Sequence, residues 1–196
     1  MRSLLTSKIV LFSNFIDVLG ILVVSVMAII FQLVLHEIPC PLCLMQRIGL
    51  MAIGFGYLLN IIYGNRIQNY GYATISAVFT AFIAMRQILL HIVPGTGGYG
   101  DLILGFHMYT WVFILCMITI IWNMFIIVIY PEDFYHEKLI RNIKIDRNIV
   151  VHIVVYLYLL TLVINVVSTF LECGLTSCPD DPTTYLILDY IKHFHK

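Results

Sequence analysis

Residues 15–35 read FIDVLGILVVSVMAIIFQLVL, and this run is broken by His36-Glu37-Ile38-Pro39-Cys40-Pro41-Leu42-Cys43 before an apolar pattern resumes at Leu44 and passes through Gln46 and Arg47. A helix needs about 20 apolar residues to cross the hydrocarbon core of a bilayer. The first run is long enough, so the break after it puts two closely spaced cysteines and a cation at the rim of a membrane. The run is also too long for the core of a signal peptide, and no small-residue cleavage site follows, which predicts a retained helix.

The rest of the chain agrees. Of 196 residues 61% are apolar and 11% charged, with a formal net charge of zero, and the mean hydropathy is +0.96. Soluble domains carry about 25% charged residues. This composition predicts an all-α integral membrane protein forming one domain over residues 1–196, without room for a separate soluble domain. No basic run is long enough to neutralise a row of phosphates, which excludes a nucleic-acid partner.

Four further spans follow the first (about 15–35): about 44–63, closed by Gly64-Asn65-Arg66; about 72–92, stopped by Pro94 and the glycines after it; about 109–130, closed by Pro131; and about 149–170. The expected architecture is a four-helix bundle plus a fifth transmembrane helix. Residues 171–196 form an external tail, and the spacing of Leu186, Ile187, Tyr190, Ile191 and Phe194 predicts a short amphipathic helix lying on the membrane. Short cytoplasmic loops accumulate Lys and Arg. Arg2, Lys8, Arg66, Lys138, Arg141, Lys144 and Arg147 fall on one side if the spans alternate, whereas the loops 37–43 and 94–107 hold no Lys or Arg. The amino terminus is therefore expected in the cytoplasm and the carboxyl terminus outside, with Cys40, Cys43, Cys173 and Cys178 on the same external face.

The C-x-x-C pair at Cys40 and Cys43 has four readings: a redox couple, half of a zinc site, a structural clip, or coincidence. An external compartment favours disulfides, and a ring with two intervening residues is better suited to exchange than to bracing. Zinc needs further ligands, and His36, His107, His193 and His195 belong to no second short-spaced cluster, so no metal is expected. Arg47, one turn into the second helix, can look back toward the Cys43 sulfur and favour a thiolate there. Arg86 lies about two turns before the outer end of the third span, where a buried cation marks function and snorkelling is the bland alternative. Gln87 and His91, four residues apart, share a helical face that reaches the same end. Cys173 and Cys178 are read as an exchangeable loop disulfide or a plain stabilising bridge. Cys116, inside an apolar run, reads as a small buried hydrophobe, and Asn123, His152 and Asn165 as interhelical hydrogen-bond partners.

Cys40-Pro41-Leu42-Cys43 directly after the first span, with Arg47 one turn into the second, resembles the DsbB family of membrane disulfide bond formation proteins, and Arg86-Gln87 through Pro94 is similar to that family's third helix. The resemblance covers roughly the first four spans. It implies a thiol:quinone oxidoreductase of the bacterial cytoplasmic (inner) membrane that reoxidises a periplasmic DsbA-like protein of thioredoxin fold, supports disulfide bond formation, and passes electrons to a quinone, ubiquinone or menaquinone. Cys43 would then face the quinone, Cys40 would exchange with the second pair, and Arg47, Arg86, Gln87 and His91 would bind the cofactor. The family carries its second pair between the third and fourth spans. Here the loop 94–107 has no cysteine, which leaves Cys173 and Cys178 for the partner-facing role. Two alternatives stay open: a vitamin K epoxide reductase-like protein running electrons the other way, and a non-enzymatic membrane protein with structural disulfides.

Overall fold

A computed structural model describes residues 2–34, 38–93, 95, 98, 100, 102–129, 149–174, 178 and 185–187, with side chains from residue 9 onward. Five long helices make up most of it: α1 (Arg2–Val34), α2 (Pro41–Tyr63), α3 (Ile67–Leu90), α4 (Met108–Ile129) and α5 (Ile149–Cys173). Each is long and apolar enough to cross a membrane, so the chain is an all-α, multi-pass membrane protein. The structure starts α1 at Arg2 and α3 at Ile67, both earlier than the apolar runs suggest, because a helix continues outside the hydrocarbon core wherever its backbone bonds are made, with no need for apolar side chains. The polar segment 132–148, with four of the seven cations used for orientation, lies outside the described residues. So does most of the expected tail helix, of which only 185–187 are described.

Lipid tails are as apolar as leucine, so burial alone does not hold such helices together; close packing and interhelical hydrogen bonds do. The central helix is α2, which packs against α1, α3 and α5, while α4 packs mainly on α3. Small residues let α2 and α3 approach. Ala73, Ala77, Ala81 and Ala84 form a buried stripe on α3, and a Cβ at Gly56 would stand 2.7 Å from the Asn69 carbonyl oxygen. Outward-facing residues such as Phe12, Val23, Phe79, Phe82 and Val163 are exposed, as a lipid-facing surface requires.

Polar groups lock the end of the bundle remote from the cysteines. Asn60 accepts from the Asn69 side chain (2.9 Å) and the Arg66 backbone N–H (3.0 Å) and donates to Asn14 (3.3 Å). Asn14 in turn donates to Asn65 (2.7 Å) and accepts from the Tyr70 hydroxyl (2.9 Å). Deeper in, Asn123 accepts from Tyr57 (2.7 Å) and donates to Thr74 (3.0 Å), joining α2, α3 and α4. Asn165 instead donates to Thr161 of its own helix. The fifth helix is fastened to α2 by the Tyr158 hydroxyl, which donates to the Met51 carbonyl.

Between α3 and α4 a two-residue antiparallel hairpin, β1 (Leu102–Ile103) and β2 (Phe106–His107), pairs Leu102 with His107 and Ile103 with Phe106. Leu104 and Gly105 both take positive φ at its tip, the backbone of a tight hairpin turn.

Candidate functional site

The C-x-x-C pair is positioned by the start of α2. Cys40 is the N-cap in extended conformation, and its sulfur accepts from the Cys43 backbone N–H at 3.2 Å. Pro41 at the first helical position gives up an N–H that would have lacked a partner in any case. Cap and third residue thereby bring the two sulfurs to 2.6 Å. The hydrogen bond with Cys43, and burial second, raise the Cys40 thiol above its ordinary range, so Cys40 keeps its proton when the pair is reduced.

Gln87, fully buried near the carboxyl-terminal end of α3, faces both sulfurs. Its Nε2 donates to Cys40 Sγ at 3.3 Å and to Cys43 Sγ at 3.4 Å, and its Oε1 accepts from Gln46 Nε2 at 2.6 Å. Gln46 thus fixes the amide orientation that points both donors at sulfur. His91 caps α3, its ring nitrogen Nδ1 2.9 Å from the Gln87 carbonyl oxygen. Its ring tilts against Tyr109, which stacks on His107 from the hairpin.

Arg47 is tied on the side of α1. Its guanidinium donates to Gln32 Oε1 (2.6 Å) and to the Ala28 carbonyl (3.0 Å). Gln32 in turn donates to Ser168 on α5 (2.7 Å) and to the Tyr185 hydroxyl (3.0 Å). The cation is therefore held in place from α1, α5 and the segment after α5, and Cys43 lies within its electrostatic reach.

A cavity of about 80 Å³ opens beside this cluster. Cys43, Gln46 and Arg47 line it, with Val24, Ala28, Leu50, Met108 and Val112 supplying apolar walls. Cys40 is buried and is not among the lining residues. Ser25 lines the cavity as well, and its hydroxyl is buried without a hydrogen-bond partner among the described residues. One reactive sulfur, one cation and an orphaned donor around a small apolar space suit a flat ring bearing carbonyl oxygens, which gives the residues present a fit to quinone.

Cys173 and Cys178 form a disulfide with Cα atoms 4.6 Å apart, within the ordinary range. They sit at the same end of the bundle as Cys40 and Cys43, since Ser168 and Glu172 on the last turns of α5 reach the Arg47 neighbourhood. The structure thus brings Cys40, Cys43, Arg47 and Gln87 into one cluster and His91 to its edge. Arg86 is exposed on α3 and takes no part in the hydrogen bonds that hold the sulfurs. Gln32, Gln46, Ser25, Tyr109 and Glu172 were not singled out from the sequence. Gln32, Gln46 and Glu172 carried a usable signal, being strongly polar side chains inside apolar spans. Cys116 is fully buried. Among the described residues no group of three or more His, Cys, Asp or Glu converges as a metal site would.

Residues 12–98 match the family model of the disulfide bond formation protein DsbB, a stretch that contains the C-x-x-C pair, Arg47, Gln87 and His91. Over those residues, less than half of the chain, it is similar to the DsbB family. It is similar to the disulfide bond formation protein B of Chromobacterium violaceum, at 38% identity over 72 residues, covering 34% of this chain and 43% of that protein. It is similar also to the protein of that name from Acinetobacter baylyi, at 34% over 86 residues (38% of this chain, 50% of that one), and from Stutzerimonas stutzeri, at 36% over 80 residues (39% and 49%). The chain spans about half the length of these relatives. No solved structure matches the chain at a significant level. The matched segment ends at residue 98, before α4, so α5 and the Cys173–Cys178 disulfide lie outside it.

Proposed function

We propose that the protein is a thiol:quinone oxidoreductase of the bacterial inner membrane, with both cysteine pairs on the periplasmic side. It would oxidise the dithiol of a DsbA-like partner of thioredoxin fold and pass two electrons to a membrane quinone. The observation that carries this reading is the arrangement of Cys43: it lines the cavity beside Arg47, while its partner sulfur Cys40 lies behind it, joined to Gln87.

Cys173 and Cys178, at the end of α5, receive electrons first as their disulfide is opened by the incoming dithiol. The reduced pair then attacks at Cys40, whose bond to Cys43 breaks with the electron pair left on Cys43. Arg47 and the Gln87 amide hold that negative charge. Charge-assisted hydrogen bonds are about twice as strong as neutral ones, so the cluster favours the reduced pair with Cys43 as thiolate. The apolar walls keep water from the thiolate, and Ser25, Gln46 and Arg47 are placed to hold ring oxygens. When bound, quinone supplies a two-electron, two-proton acceptor, so the dithiol chemistry balances without metal or nucleotide. The cation-free loops on the cysteine side support the orientation.

Replacing Cys43 by Ser tests the reading. The variant should fold and bind its partner yet show no quinone reduction by reduced thioredoxin-fold protein, followed as the change in quinone absorbance. Full activity would end the proposal.

A further inference from the structure

The last turn of α5 carries a carboxyl group that this relay leaves without a role. Glu172, one residue before Cys173, is 1% exposed, and its Oε2 is buried with no hydrogen-bond partner among the described residues. It lies within electrostatic reach of Arg47 and Cys43. Among the described residues the other titratable groups around Arg47 are Cys40, from the segment before α2, and Tyr185, from the segment after α5. From α1 the guanidinium meets only neutral acceptors, Gln32 and the Ala28 carbonyl. Among the described residues this partly buried cation thus faces both Cys43 and Glu172, each of which can become an anion. Burying an uncompensated charge costs several kcal/mol, so the site tolerates a negative charge on Cys43 or on Glu172 but not on both.

Resting on the reading of Cys40 and Cys43 as the redox pair, we propose that Glu172 is a redox-linked proton site, ionised against Arg47 while the two cysteines are joined and protonated while Cys43 carries the charge. The step balances. An incoming dithiol gives up two electrons and two protons and becomes a disulfide; the Cys40–Cys43 bond breaks, Cys40 becomes a thiol, Cys43 a thiolate, and the second proton goes to Glu172. Reoxidation of the pair releases both protons, one from Cys40 and one from Glu172. Glu172 is a positioning residue in this scheme, acting through the Arg47 charge.

The test uses the full chain in lipid nanodiscs without quinone, equilibrated across neutral pH with a dithiol couple of known proton dependence. The Cys40/Cys43 redox state is read by thiol trapping and peptide mass spectrometry. At a fixed potential, once the couple's own proton uptake is subtracted, two protons per pair make the reduced-to-oxidised ratio change a hundredfold per pH unit in the wild type; Glu172→Gln should reduce this to tenfold, while Glu172→Asp keeps it near a hundredfold. At about 29.6 mV per tenfold these slopes are about 59 and about 30 mV per pH unit. A hundredfold slope in Glu172→Gln overturns the proposal. Should that variant not fold, redox-difference infrared spectra of the wild type decide: a protonated-carboxyl stretch appearing on reduction, and missing from Glu172→Asp in its original position, supports the proposal, and no such stretch overturns it. A wild-type pair that never exchanges with thiols would instead refute the oxidoreductase reading itself, which keeps the two failures apart.

Discussion

Gln87→Leu removes the side chain that donates to both sulfurs while keeping roughly its volume. Two effects follow, and they separate. The Gln46 Nε2 loses its acceptor at 2.6 Å, and a stranded buried donor costs about 1–3 kcal/mol. That cost applies in either redox state, so it shows in unfolding and leaves the redox potential alone. The donors to Cys40 and Cys43, at 3.3 and 3.4 Å, act differently, because a thiolate accepts far better than a disulfide sulfur. Hydrogen bonds to a charged partner contribute about 1.5–3 kcal/mol, all of it to the reduced pair. With ~1.4 kcal/mol equal to about 30 mV for two electrons, the potential of the Cys40/Cys43 pair should fall by about 30–60 mV, a ten- to hundredfold shift toward the disulfide. Equilibration against a dithiol series with mass-tag trapping reads this directly. Gln87→Glu keeps an acceptor for Gln46, removes the amide donors and adds a carboxyl, so it should lower the potential at least as far, with a further loss of stability from the buried charge. An unchanged or raised potential in the Leu variant would refute the role given to Gln87.

Arg47→Met removes the cation beside Cys43 and its bonds to Gln32 and Ala28. Labelling of Cys43 by a thiolate-selective reagent at neutral pH should slow about tenfold, for ~1.4 kcal/mol of lost charge interaction; an unchanged rate counts against the arginine. Asn60→Leu leaves the Asn69 amide and the Arg66 N–H without their shared acceptor. Membrane hydrogen bonds average about 0.6 kcal/mol and stranded groups about 1–3, so unfolding in mixed micelles should show a loss of ~1–4 kcal/mol with the Cys40/Cys43 potential unmoved.

Five spans were legible because an apolar run of bilayer length has few other uses. Where the helices begin was not, since Arg2 to Lys8 and Ile67 to Gly71 become helical through continuation of backbone bonds that no apolar pattern announces. The pair and Arg47 could be placed from spacing alone, one helical turn fixing sulfur and cation at one rim. Arg86 and Gln87 show the limit. Neighbours on a helix point about 100° apart, and sequence favours the charge as the functional one. The buried Ala73–Ala84 stripe turns α3 so that the amide faces the sulfurs and the guanidinium faces out. Gln32 and Glu172 reach Arg47 from other helices, which no local pattern encodes. The hairpin tip Leu104-Gly105 lacks the usual Asn-Gly signal, and Asn165 bonds within its own helix because Thr161 lies one turn away.

Using a sulfur as the cap of α2 couples chemistry to the unlatching of that helix. While Cys40 is reduced, its Sγ satisfies the Cys43 N–H and Pro41 offers no N–H of its own, so the first turn is held by that sulfur contact and by the Leu44 N–H bond to the Cys40 carbonyl. Drawing that electron density into a bond with an incoming thiol weakens the cap, and the turn can then fray outward. A cysteine that is shut away at rest would come within reach when exchange begins, and would be shut away again when the turn rewinds.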